Sequence, residues 1–298
     1  MEHERIGAPD TGTPPLLRVV VRFGADERPS PLASAASVLA SALGAELRGV
    51  FIRDEALRNL AALPFASAIR LAGGSVTRLD MRLIEEAWSA SESACRAALA
   101  AAAARERAAW SFESLAGDVE SSIRHHVGAR DLLALTLHSP GPDARDTIEL
   151  ARRLASQAGA VLLLASNLQS IPTGPVLAID DGDRIGERTV SLGGRIATRL
   201  GRTLSILAIG RDAAETVKAR ARADAPPAGS TVTVVQRGST DAAIDALRRT
   251  KPGFVVGDVE GEPFGHGDAG ASIIGVLESP LVLLGSGSRE LEPGRPGQ

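Results

Sequence analysis

The chain has 298 residues, a formal charge of −3 at neutral pH and a single cysteine, Cys95. So even a balance of charge argues against nucleic acid or an acidic membrane as partner, and one cysteine excludes an internal disulfide framework or a multi-cysteine zinc site. No apolar run approaches the roughly 20 residues that span a bilayer, and residues 1–15, polar with Pro and Gly, do not read as a signal peptide, so a reducing cytoplasm is the expected compartment.

Short, nearly continuous apolar runs bounded by turn residues predict strands at 17–22, 47–52, 111–116, 132–137 and 160–165. Runs without alternation imply burial on both faces of a sheet. Between them Leu32, Ala36, Leu39 and Leu43, and later Ile148, Ala151, Leu154 and Ala155, recur at helical spacing. After a linker from Asn167 to Gly174, strands are predicted at 176–180, 204–209, 231–235, 253–256 and 280–284. Ile185, Leu192, Ile196 and Leu200 stripe the first helix of this half, and Ile244 and Leu247 a later one. Strands alternating with helices predict parallel βαβ units covered on both faces.

The two halves repeat one pattern. Val19-Val20-Val21, Leu43-Gly44-Ala45-Glu46-Leu47 and Val50-Phe51-Ile52 return as Val176 to Ile179, Leu200-Gly201-Arg202-Thr203-Leu204 and Ile206 to Ile209. A duplicated α/β unit is the economical reading, with domains expected at 16–166 and 175–286 and flexible tails at 1–15 and 287–298. The first copy also carries an insertion, 53–109. Within it Met81, Ile84, Trp88, Cys95 and Leu99 lie on one side of a predicted helix, which points Cys95 inward. Leu57, Leu60, Leu63, Pro64 and Phe65 form an apolar patch ahead of that helix. It reads either as a cover for the C-terminal edge of the first sheet or, preferably, as the interface between the halves, since such patches mark packing surfaces.

Gly265 to Gly270 spells G-x-G-x-x-G between a strand and a helix, yet only one strand remains beyond that helix. No acidic residue about 20 positions on can then hold a ribose, which argues against a dinucleotide-binding dehydrogenase. His125 and His126 close a short helix begun at Gly117-Asp118 and read as caps, because a helix C-terminus favours a cation. His138 and His266 occupy corresponding loops beyond the fourth strands, where open α/β sheets bind ligands. Asp180, Asp181 and Asp183 read as a solvated turn rather than a cation site. No three-ligand metal spacing is visible, and Ser139 and Ser166 lack the strained turn of a hydrolase nucleophile. The chain carries no candidate catalytic base with a partner, and no enzymatic activity is expected.

These residues resemble the universal stress protein family in a tandem bacterial arrangement. Val176-Leu177-Ala178-Ile179-Asp180 is similar to that family's opening strand with its terminal aspartate, Arg195 to Gly201 to its first helix and turn, and Val276 to Leu284 to its closing helix and strand. In the first half Glu46 to Glu55 followed by Leu63-Pro64-Phe65 resembles a tandem branch. The resemblance implies two parallel five-stranded sheets of order 3-2-1-4-5, adenine-nucleotide alpha-hydrolase-like, with the halves as a pseudo-dimer. Closing strands of this family pair across dimers, and Val161–Leu164 and Leu281–Leu284 are apolar enough to do so again between two chains as a homodimer.

The resemblance also implies a ligand, ATP or another adenine nucleotide, held on a loop G-x2-G-x9-G-(S/T) and near the aspartate of the first strand. Asp180, Gly257, Gly261, Gly265, Gly267 and Asp268 are the residues in those places in the second half. The loop is shorter here, Gly261 is displaced by one position, and Asp268 stands where Ser or Thr belongs; a carboxylate there caps a helix but repels phosphate. In the first half Arg22 or Phe23 takes the aspartate's place and no glycine array follows residue 135. Two functions stay open: a stress-response regulator that binds a nucleotide in its second half only, or a ligand-free protein-interaction scaffold of the same fold. The protein partner is unknown from the sequence.

Overall fold

A computed structural model describes residues 18–25, 28–63, 67–69, 76–78, 80–137, 144–181, 184–210, 229–235, 237–265 and 267–285. Both expected tails, with Pro64, Phe65, His138, Ser139, Asp183 and His266, lie outside the described residues, as does the side chain of Ile185. The first half runs β1 (Arg18–Phe23), α1 (Pro29–Leu43), β2 (Glu46–Asp54), α2 (Glu55–Ala61), β3 (Ser67–Ile69), β4 (Val76–Arg78), α3 (Met81–Glu106), β5 (Trp110–Gly117), α4 (Val119–His126), β6 (Asp131–Leu137), α5 (Ala144–Ala155) and β7 (Ala160–Ala165). The second half runs β8 (Val176–Asp180), α6 (Arg184–Leu200), β9 (Leu204–Ile209), β10 (Thr231–Val235), α7 (Thr240–Thr250), β11 (Phe254–Asp258), α8 (Gly267–Val276) and β12 (Leu281–Leu284).

Local chemistry sets the element ends. α1 opens on Pro29, whose fixed φ suits a first helical turn, and stops at Gly44, which turns left-handed at φ 66° while Ala45 N–H donates to Ala40 O at 2.9 Å. Asp80 and Asp118 cap α3 and α4, accepting from Arg82 N at 2.9 Å and Ser121 N at 2.8 Å. At the far end of α4, His125 and His126 donate from Nδ1 to Ser121 O and Ser122 O, each at 2.7 Å, which holds both rings against the helix that they close.

Each half has the order 3-2-1-4-5, but the sheets are not separate. The strands form one ten-stranded sheet, β10-β9-β8-β11-β12-β7-β6-β1-β2-β5. Every neighbouring pair is parallel except β12 and β7, which meet antiparallel with Leu281 opposite Leu163, Val282 opposite Leu162 and Leu283 opposite Val161. That register places the pseudo-twofold axis between Leu162 and Val282. The closing strands, expected as a surface for a second chain, therefore pair with each other inside this one. Both are uncharged and buried, and exposing any one of these Leu or Val side chains costs about 1.5–3 kcal/mol.

Two cores flank the sheet, and both cross the junction. One joins Val19, Leu39, Leu47, Leu99 and Leu162 to Val282, Ile196 and Ile206. The other joins Val20, Leu133, Ile148, Val161 and Leu163 to Leu281, Ile273 and Leu207. Helices follow suit: α1 packs on α6 and α5 on α8, and Arg199 Nη2 reaches Ser41 Oγ at 3.3 Å. The linker is strapped down as well, with Arg202 Nη1 donating to Pro172 O at 2.8 Å and Gly253 N–H to Pro175 O at 2.8 Å. Burial lowers the pKa of Arg202 below the usual arginine value.

The insertion lies on the outer part of the first half. α3 packs on α1 and β2, burying Trp88, Cys95, Leu99, Ala102 and Ala103. Gly49 makes this approach possible: a methyl group there would fall 2.6 Å from both Leu99 Cδ2 and Phe112 Cδ2. Of the patch before α3, the described residues Leu57, Leu60 and Leu63 do not lie between the halves. α2 follows directly from the end of β2, far from the β7–β12 junction, and while Leu57 packs against the core, Leu60 and Leu63 are exposed. Antiparallel pairing of β7 and β12 supplies the buried interface that the patch was expected to form.

Candidate functional site

The sheet order of the second half reverses between β8 and β11, and in open α/β sheets ligands bind beyond the carboxyl ends of the strands at such a point. Asp180 ends β8 and is fully buried. The first turn of α6 lies against its carboxylate, so close that a methyl group on Gly186 would sit 1.8 Å from Asp180 Oδ1. Thr189 holds this turn to the strand, its hydroxyl donating to Ile179 O at 2.5 Å and lying 2.8 Å from Gly186 O.

Across the reversal, the turn between β11 and α8 folds back over its own strand. Phe264 is fully buried, and its ring occupies the space that a side chain on Gly257 would need: a methyl group there would fall 2.5 Å from Phe264 Cε2. A methyl on Gly261 would meet Asp181 Oδ2 at 2.7 Å, and one on Gly265 would meet Glu260 O at 2.3 Å. Gly265 N–H closes the turn on Gly261 O at 2.7 Å. These three glycines thus serve close packing of the chain on itself.

Charged groups surround the turn. Glu260 N–H donates to Asp258 Oδ1 at 2.9 Å, and Arg188 spans from Asp258 Oδ2, 3.9 Å away, to Gly285 O at 3.1 Å. Arg237 donates to Asp181 O at 2.9 Å and pairs with Glu262 at 3.7 Å. Arg152, from α5 in the first half, donates to Phe264 O. The arginines therefore point at the protein's own carbonyls and carboxylates. Gly267 opens α8, and Asp268 sits exposed in its first turn, a favourable place for a carboxylate beside a helix dipole and an unfavourable one beside a phosphate.

Asp180, Gly257, Gly261 and Gly265 are thus brought to one place, as the sequence suggests, with Gly267 and Asp268 on the helix that follows. Five further residues belong there: Gly186, Asp258, Arg188, Phe264 and Arg152. Phe264, an aromatic in a glycine-rich turn, left a signal in the sequence; Arg152, 112 positions from its acceptor, left none. Among the described residues no group of three or more His, Cys, Asp or Glu side chains is placed to hold a metal ion. No described helix is long and apolar enough to cross a membrane.

No family model and no curated protein matches this sequence. Solved structures do match. A universal stress protein from Archaeoglobus fulgidus DSM 4304 superposes with a TM-score of 0.60 at 12% identity, covering 89% of this chain and 96% of that one. The chain has the universal stress protein fold. A functionally unknown protein from Pseudomonas aeruginosa PAO1 shares it at a TM-score of 0.51 and 16% identity, covering 91% of this chain and 95% of that one.

Within the universal stress protein fold the register now aligns the two copies. Val19 pairs with Leu47 as Val176 pairs with Leu204, so Phe23, not Arg22, stands in the place of Asp180. It is fully buried and stacks on Phe112 with ring centroids 6.2 Å apart. Likewise Val19 pairs with Leu132 and Val176 with Phe254, which puts Leu135 where the second copy has Gly257. The first half has apolar bulk at both positions.

Proposed function

We propose that the chain is a non-enzymatic, universal stress protein-like regulator that acts through protein interaction, with the ligand crevice of its fold filled by its own residues. The observation that carries this reading is Asp180, fully buried beneath α6 with Gly186 against its carboxylate. An acid buried in that way presents no exposed oxygen to a ribose. Phe264 over Gly257 and the carboxylates of Asp181, Asp258 and Glu262 around the turn support the same reading, since phosphate needs exposed backbone N–H groups and few anions nearby. A ligand selective for the folded state must raise its melting temperature. Thermal unfolding of the full chain with and without millimolar ATP and Mg²⁺ should therefore give superimposable curves, and a saturable upward shift would overturn the proposal.

The second reading, an adenine nucleotide held at Asp180 and along the β11–α8 turn, has one observation in its favour. α8 begins at Gly267 immediately after a turn containing Gly261 and Gly265, and a helix N-terminus after a glycine-rich turn suits an anion. It requires the turn to leave Gly257. A shift seen in the wild type and lost in Gly267→Val would select it.

A further inference from the structure

The sheet ends at β5 on one side and at β10 on the other, and the two edges are built differently. β5 carries Glu113, ion-paired with Arg48 at 2.8 Å, and the guanidinium of Arg96 covers its Phe112 at 4.5 Å. Charge on an edge strand deters pairing with another chain. β10 reads Thr-Val-Thr-Val-Val, without charge or proline, and continues in unbroken register along β9. Among the described residues β9 is its one strand neighbour. Thr231, Thr233 and Val234 are exposed, Val234 to 49%.

We propose that β10 pairs antiparallel with β10 of a second copy of this chain, making the sheet continuous across a two-fold dimer. The sequence of the strand is self-complementary for such a joint. With the axis at Thr233, Thr231 faces Val235, Val232 faces Val234, and Thr233 faces its own copy; cross-strand Val–Val and Thr–Thr pairs are favourable neighbours. Val232 already packs at the margin of the core shared by α1, α3 and α6, so the partner's Val234 would extend that core. Gly229 and Ser230 bring no charge to the joint, and Arg237 at the other end is turned back onto Asp181 and Glu262. The chain makes the same kind of contact once already, where β7 and β12 join uncharged strands antiparallel about the pseudo-twofold axis. The proposal is independent of whether the crevice takes a ligand.

Charge placed on the axis tests it. Thr233→Lys and Thr233→Glu each set like charges directly opposite one another across the joint, which is destabilising, whereas a Lys chain against a Glu chain is attractive. In sedimentation velocity at micromolar concentration the wild type should be a dimer and each variant a monomer, with association weakened at least tenfold. An equimolar mixture of the two should return to dimer. Circular dichroism of the separate variants checks that they remain folded. A monomeric wild type, single variants as dimeric as wild type, or a mixture of folded variants that stays monomeric would each overturn the proposal. Were the charged variants not to fold, Thr233→Cys in a Cys95→Ser background decides: mild oxidation of native protein should give an interchain disulfide in most of the sample, and its absence would refute the joint.

Discussion

Gly186→Ala is the substitution on which helix propensity and tertiary packing disagree in sign. Alanine is favoured over glycine inside a helix by about 1 kcal/mol, and Gly186 lies in the first turn of α6, so propensity alone predicts a more stable protein. The packing predicts otherwise, because the added methyl would fall 1.8 Å from Asp180 Oδ1 and 2.8 Å from Asp180 Cγ. Relieving such a contact means lifting the turn or turning the carboxylate. Overpacking of a filled interior costs about 1–3 kcal/mol, and displacing a fully buried carboxylate roughly 1–3 kcal/mol more. Set against the propensity gain, the net loss is about 1–5 kcal/mol. Urea unfolding followed by circular dichroism measures it. Asp180→Ala removes the atoms in the way, so Gly186→Ala should cost at least about 1 kcal/mol less in that background, a coupling of the size expected for residues in contact. A Gly186→Ala protein as stable as wild type, or costs that simply add, would refute the placement of Asp180 under α6 and with it the case against a ribose at that acid.

Two further predictions concern ion pairs. Asp131 is almost fully buried and receives Arg18 Nε at 3.0 Å, Arg18 Nη2 at 2.6 Å and Gly128 N–H at 2.8 Å; its hydrogen bond, opposed by burial and aided by its charge, raises the pKa of Arg18. Asp131→Asn should cost roughly 2 kcal/mol in denaturant unfolding, less than for a fully buried pair because Arg18 keeps some access to water, and a cost under about 0.5 kcal/mol would contradict it. Glu92 joins α3 to Arg53 at 2.7 Å. Burial acts to raise its pKa, but hydrogen bonds from Arg53, Ser114 and Arg96 and the charge of Arg53 prevail, so the carboxyl stands below its ordinary value of 4.5. A depressed pKa stabilises the fold above the unfolded value and loses that contribution as pH falls through the folded one. Stability should therefore drop less steeply below about pH 4.5 in Glu92→Gln than in wild type, and parallel pH profiles would refute the tether.

The glycines of the second half show where sequence reading reaches its limit. Gly257, Gly261 and Gly265 mark a place where something approaches the backbone closely, and that much is legible in a strand–turn–helix context. What approaches is not. The ring of Phe264 and the carboxylate of Asp181 take the space next to Gly257 and Gly261, and a one-dimensional pattern does not distinguish a ring or a carboxylate from a phosphate. The same holds for Asp180, whose place at the end of a strand is clear from the sequence, while its burial depends on how α6 returns over it.

The strands, the helical stripes and the duplication follow from the sequence alone, because continuous apolar runs such as Leu162-Leu163-Leu164 demand cover on both faces wherever they lie. Aspartate caps and the histidines closing α4 are legible too, being contacts within a few residues. Tertiary structure decided that β7 and β12 join the halves into one sheet, that the patch at Leu60 and Leu63 faces outward, and that Arg152 of the first copy holds the turn of the second. Each of those outcomes turns on which of several possible partners a surface or side chain finds. That is a competition between segments more than a hundred residues apart, and no local pattern records its result.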